Sequence, residues 1–205
     1  MAVRGLDRGQ RPALVISECQ NGITNLAYEQ SPLIEQVTER GIIPRIDVLA
    51  GAFRAAGLPV IHVTIAAPPG FVGFRVNCAL AARIAKQGKL VTGTPYAAVH
   101  DDLPLHDGDR VLERMHGMAP FTGTELDAVL RGHDVDTVVL AGVSTNIALP
   151  GAATEAVALG YEVVLVEDCT AGGTAESHQA QISLHLPLLA TITHGAAVTA
   201  ALGSE

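Results

Sequence analysis

One stretch constrains this chain more than any other: Val138, Val139, Leu140, Ala141, Gly142, Val143, Ser144, Thr145, Asn146, Ile147 and Ala148. Apolar, partly β-branched residues lead into a glycine, then into small polar residues and a new apolar segment. The pattern reads as a buried strand, a tight turn and the first turn of a helix. In an open α/β sheet, a corner at the carboxyl end of a strand borders the crevice where ligands bind. The corner therefore predicts both a fold class and the place to look for chemistry.

The rest of the chain repeats the strand-then-helix rhythm. Pro12 to Glu18 is a short apolar run ending in polar residues, as expected of a central parallel strand. A helix is expected from Pro32 with Ser31 as its N-cap, broken near Gly41 and resuming from Pro44 to Ala56. Pro59 to Ile65 is the second strand, on its β-branched content. Asn77 to Gln87 has helical spacing, Gly93 to Gly108 is turn-rich, and a short strand is expected near Arg110 to Glu113. Thr122, Gly123, Thr124 and Glu125 have the spacing of a capping box before a helix whose apolar face carries Leu126, Val129 and Leu130. Thr137 to Ala141 is the fourth strand, followed by a helix over Pro150 to Leu159. A strand over Glu162 to Glu167, a helix over Ala175 to Leu186, a strand over Ala190 to Thr193 and a closing helix complete the chain. Alternating strands and helices joined by right-handed crossovers imply one α/β domain over residues 1–205. Its architecture is a doubly wound, Rossmann-like parallel sheet of about six strands, with helices on both faces.

Composition narrows the function. Apolar residues make up 48% of the chain and aromatics 3%, so the core must be built from Ala, Val, Leu and Ile. Net charge is −8 and the only lysines are Lys86 and Lys89, which argues against a nucleic-acid partner. No apolar run reaches membrane-spanning length and Met1 to Pro12 lacks a signal-peptide stretch, so a cytoplasmic protein without a membrane partner is expected. Cys19, Cys78 and Cys169 are odd in number and far apart, which predicts neither a disulfide framework nor a metal site. His100, Asp101, Asp102, His106, Asp107 and Asp109 match no standard ligand spacing and read as solvated loop charge.

Several blocks, in order, resemble the isochorismatase-like cysteine hydrolases. Ala13 to Asn21 looks like that family's first-strand block, commonly Val-Ile-Asp-x-Gln. Gly93 to Pro95, Leu103 to Pro104 and Gly108 to Arg114 resemble the stretch leading to the family lysine, and Phe121, Gly123 to Leu126 and Leu130 to Arg131 continue it. Gly142 to Thr145 is similar to the corner Gly-Val-x-Thr-Asp-x-Cys, Gly160 to Asp168 to the following strand, and His178 falls where the family often has a histidine.

The resemblance implies an Asp–Lys–Cys triad, an oxyanion hole of corner amides and a cis peptide at Val143–Ser144. All three triad positions differ here. Glu18 stands for the aspartate, Arg114 most nearly for the lysine, and Ala148 for the cysteine, which removes the nucleophile. The implied site therefore comprises Glu18, Arg114 and Ala148, with Ser144, Thr145, Gln20, His116 and Phe121 binding substrate. It also implies no metal, no cofactor, a small and anionic substrate, and a homo-oligomer (dimer or tetramer).

Two function classes stay open on these residues. In one, Glu18 replaces the thiol as the proton-handling group, donating a proton to a vinyl ether or activating water against an ester or amide. Contact with Arg114 would keep Glu18 ionised and favour the base; a separated, desolvated Glu18 would favour the acid. In the other, the chain kept the fold and serves as a non-catalytic binding or regulatory protein. Ser144 and Thr145 are disfavoured as nucleophiles, since neither has an evident histidine partner in the sequence.

Overall fold

Short β-branched runs, each ending in glycine or a polar residue, form strands that pair side by side. The computed structural model describes residues 3–115 and 117–203. Its strands are β1 (Pro12–Ser17), β2 (Val60–Ile65), β3 (Arg110–Arg114), β4 (Thr137–Val143), β5 (Glu162–Ala171) and β6 (Thr191–Thr193). They form one six-stranded sheet in the order β3-β2-β1-β4-β5-β6, every pairing parallel. This is the doubly wound order expected from the alternating pattern. The strand order reverses between β1 and β4, and such a switch point opens a crevice at the carboxyl ends of the two strands.

Both sheet faces are covered, as parallel sheets require. Leu14, Ile16, Val139, Ala141, Val164 and Val166 form one core. Against it lie α2 (Pro32–Arg40), α3 (Ile42–Ala55) and α8 (Gly195–Leu202) through residues such as Val37, Ile46, Phe53 and Val198. Ala13, Val15, Val138, Leu140, Val163 and Leu165 alternate with them and face the second core. That core is closed by α5 (Leu126–Gly132) and α6 (Ala148–Ala158) through Leu126, Leu130, Leu149 and Ala152. Short α1 (Asn21–Thr24) follows β1, α4 (Ala79–Gln87) follows β2, and α7 (Ala175–Ala180) follows β5. Among the described residues no helix is long and apolar enough to cross a membrane.

Several local expectations shift. Gly41 takes a left-handed conformation (φ 60°) that ends α2, and α3 begins at Ile42, two residues before the expected Pro44. The expected capping box at Thr122 to Glu125 does not form: α5 begins at Leu126, and Thr122 Oγ1 instead donates to Glu155. The expected helix from Ala175 to Leu186 breaks after Ala180 into a π turn over Gln181–His185 and a 3₁₀ turn over Leu186–Leu188. The expected solvated charge run is also partly buried. Asp109 Oδ2 receives Arg54 Nη2 at 2.8 Å, and His100 lies in the interior.

Candidate active site

Glu18 immediately follows β1, at the switch point. Its backbone is left-handed (φ 51°), a conformation uncommon outside glycine. The turn is held by the Glu18 amide donating to Val63 O at 2.9 Å and by Glu18 O accepting from Gln20 N at 2.9 Å. Departing from the strand geometry here, the side chain is left 17% exposed, shielded but reachable.

Arg114 is the last residue of β3 and pairs in register with Ile65. Its guanidinium is 2% exposed and makes a direct ion pair with Glu18 through Nη2 and Oε1. The pair joins positions 96 residues apart in the chain. A guanidinium keeps its proton at any working pH and presents a fork of donors. Here only Nη2 is used: among the described residues, Nε and Nη1 have no hydrogen-bond partner. Leaving buried donors unpaired costs about 1–3 kcal/mol each.

The corner after β4 lies at the end of the strand that pairs with β1. The Val143–Ser144 peptide is cis, where the resemblance implies it. Ser144 O accepts from Ile147 N at 3.2 Å and from Leu149 N at 3.1 Å, folding residues 144–149 into a compact entry to α6. Ala148 is the first residue of α6 and is buried. The corner reaches this position because Gly142 (φ 95°) lies against the backbone of Ser17, where a Cβ would collide with Ser17 O.

At the carboxyl end of β2 lies a cavity of about 500 Å³ lined by Ile65, Phe74, Arg75, Asn77, Cys78 and Met118, together with Gly73, Ala81 and Gly117; Glu18, Arg114 and Ala148 are not among its lining residues. Ile65 and Arg114, being register partners in parallel strands, present their side chains to the same sheet face. Among the described residues no carboxylate lines the cavity, in a chain of net charge −8, and Arg75 contributes a positive charge.

The remaining expected residues fall differently. Gln20 is committed to the backbone: Nε2 donates to Ile65 O (2.9 Å) and Ala97 O (2.7 Å), and Oε1 accepts from Ile65 N (2.8 Å). It staples the loop after β1 to the end of β2 rather than facing a ligand. Phe121 packs in the core with Leu126 and Leu149, its ring 6.1 Å from that of Tyr161. His116 lies outside the described residues. Thr145 does have a histidine partner, contrary to expectation: its Oγ1 is 3.1 Å from His178 Nδ1. Thirty-three residues separate the two, and no local spacing signals the contact. Cys19, expected to face across the sheet from Glu18, is buried in the first core, where burial first and nearby Cys169 second push its thiol far up.

Residues 12–197 match the isochorismatase domain family. The chain is 29% identical over 183 residues to the uncharacterized isochorismatase family protein YecD of Escherichia coli O157:H7, spanning 88% of this chain and 90% of that one. It is also 29% identical over 178 residues to the maleamate amidohydrolase of Pseudomonas putida, spanning 85% and 78%. In three dimensions it is similar to an isochorismatase family protein from Desulfovibrio vulgaris (TM-score 0.80, 26% identity, covering 95% of this chain and 99% of that one). The N-carbamoylsarcosine amidase of Thermoplasma acidophilum superposes with a TM-score of 0.72 at 25% identity, covering 91% and 97%.

Proposed function

The chain belongs to the isochorismatase family, and on that footing we propose that it is a hydrolase working without a cysteine nucleophile. In this reading Ala148 occupies the position of the family thiol, and Glu18 acts as a general base. It draws a proton from water as that water attacks the carbonyl carbon of a small amide or ester. The resulting tetrahedral oxyanion is received by amides of the corner between Ser144 and Ala148. Its collapse expels the amine or alcohol, to which the proton held by Glu18 is returned. The observation that carries the reading is the Glu18–Arg114 contact, with Nε and Nη1 of the same guanidinium unpartnered. The contact through Oε1 orients the Glu18 carboxylate, as a general base requires. Proton donation to a vinyl ether, open on the sequence, loses its support in that contact.

The substrate in this proposal carries a carboxylate. The free guanidinium edge of Arg114 and the acid-free cavity with Arg75 both favour an anion, while Ile65, Phe74 and Met118 suit a short apolar body. Two named relatives, a maleamate and a ureidoacrylate amidohydrolase, act on amide-type compounds. The homo-oligomer and the cytoplasmic setting belong to the same proposal. Leu184 and Leu188 stand 74% and 83% exposed, apolar area that a second copy would cover.

A panel of carboxylate-bearing amides and esters tests this directly. Cys78 is the exposed thiol, whereas Cys19 and Cys169 are buried. Turnover by a Cys78→Ser variant should therefore survive iodoacetamide treatment undiminished. A folded Cys78→Ser variant that is inactive before the reagent is added would mean that the Cys78 thiol does the chemistry.

A second reading, a ligand-binding member without catalysis, is favoured by the same methyl at Ala148 and by the neutralisation of Glu18 by Arg114. It predicts thermal stabilisation by members of the panel with no product formed.

A further inference from the structure

Three elements meet at the corner, on the side of the sheet order away from β2 and β3. Thr145 follows the cis peptide and is fully buried, with Oγ1 3.1 Å from His178 Nδ1. His178, on α7, turns its other nitrogen, Nε2, towards Glu167 Oε1 on β5 at 3.6 Å, just beyond hydrogen-bond length, and Nε2 has no other hydrogen-bond partner among the described residues. The close approach depends on Gly172: a Cβ there would lie 2.7 Å from Thr145 Oγ1 and 3.1 Å from His178 Cβ. The next amide, Gly173 N, donates to Asn146 Oδ1 at 2.9 Å, a second tie between this loop and the corner. Thr174 and Ser177 then cap α7 reciprocally, which sets His178 on its first turn.

Charge fixes how the imidazole is used. Burial first, and the Arg40 guanidinium second, push His178 below its ordinary range, with Glu167 opposing. The ring is therefore neutral near pH 7 and carries one proton. A carboxylate only accepts, so that proton belongs on Nε2, facing Glu167. Nδ1 is then left with a lone pair for the Thr145 hydroxyl. Glu167 is itself anchored, with Arg40 Nη2 at 3.2 Å from Oε1 and His194 Nδ1 at 3.7 Å from Oε2. Arg40 Nε donates to Thr170 O at 2.9 Å, and Asp168 lies 3.9 Å from His194 and 3.3 Å from Arg45.

We propose that His178, oriented by Glu167, is a positioning residue that fixes the Thr145 hydroxyl and through it the backbone from Ser144 to Ala148. Thr145 is a tether here and not a nucleophile, because its side chain is enclosed. The consequence for chemistry is preorganisation: amides that receive a developing negative charge act only when held at a set distance and angle. This inference concerns the corner's geometry and does not depend on which bond, if any, the protein cleaves.

The experiment is imidazole and amide NMR on the full-length ¹⁵N-labelled chain. Long-range ¹H–¹⁵N spectra of the wild type near neutral pH should show the Nε2–H tautomer of His178. Thr145→Val removes the hydroxyl at nearly constant shape. It should weaken the tautomer preference, move the His178 titration upward and shift the amide resonances of residues 144–148. Thr145→Ser should restore all three. Glu167→Gln should also weaken the Nε2–H preference while moving the titration downward, since the opposing carboxylate is gone. A wild-type His178 protonated on Nδ1 would overturn the proposal, a result that needs no variant to fold. So would a folded Thr145→Val protein whose tautomer, titration and corner amides match the wild type, as a packing role alone predicts.

Discussion

Gly142 holds the corner against β1, with φ 95° and the backbone of Ser17 where a side chain would begin. Gly142→Ala meets both a conformational and a steric penalty, since neither atom it strikes belongs to a flexible side chain. A loss on the order of 3 kcal/mol is expected, read as a lowered denaturant midpoint with unchanged slope. A midpoint equal to the wild type would mean that the two strands need no such approach. At this scale the sequence was partly legible. Glu18 could be placed at the end of an apolar strand run, and Ala148 was singled out by the resemblance of its corner to that of the family. The direct contact of Glu18 with Arg114 crosses from β1 over β2 to β3 and could only be posed as an alternative. Gln20 and Phe121 were expected at the ligand, but a buried amide is drawn to unpaired backbone groups and a phenyl ring to the core. No one-dimensional pattern separates those fates.

Elements read best where their signals are confined to neighbours. Ser31 caps α2 as expected, its hydroxyl accepting from Ile34 N at 3.3 Å ahead of Pro32 at the first helical position. Ser31→Ala should cost about 1 kcal/mol in equilibrium unfolding; no change would mean that the cap is idle. The same kind of signal failed at Thr122 to Glu125. There Glu155, on the neighbouring α6, takes both the Thr122 hydroxyl and the Phe121 amide. Tertiary contact outweighed a local motif. Similarly, β5 runs to Ala171, well past the Glu167 expected, because Thr170 and Ala171 pair with Gly142 and Val143 after a register shift in β4. That extension is what brings Glu167 and Gly172 to the corner, and the apolar pattern of β5 alone does not announce it.

Over the whole molecule, a parallel sheet covered by helices on both faces followed from strand–helix alternation, whereas the buried charges within it did not. His62 on β2 is the clearest case. Both ring nitrogens are buried without a hydrogen-bond partner among the described residues, and burial lowers its pKa from 6.5 to about 4. Asp109, 4.0 Å away, opposes the shift, but it is already held by Arg54, whose own charge adds to it. The unfolded chain takes up a proton on His62 below pH 6.5 while the folded chain resists until about pH 4. Its contribution is therefore complete above pH 6.5 and lost as pH falls towards 4, by up to roughly 3 kcal/mol. Unfolding free energies measured across that window should fall more steeply in the wild type than in His62→Leu, and parallel slopes would refute the assignment.

On the proposed reading Glu18 is the side chain that moves a proton at the reacting carbon, and the initial rates of wild type and Glu18→Gln on the carboxylate-bearing panel test that most directly. General-base catalysis contributes about 10²–10⁴-fold. Glu18→Gln should lose at least the lower figure while melting within a few degrees of the wild type. A folded Glu18→Gln protein that hydrolyses the panel at the wild-type rate would contradict the account.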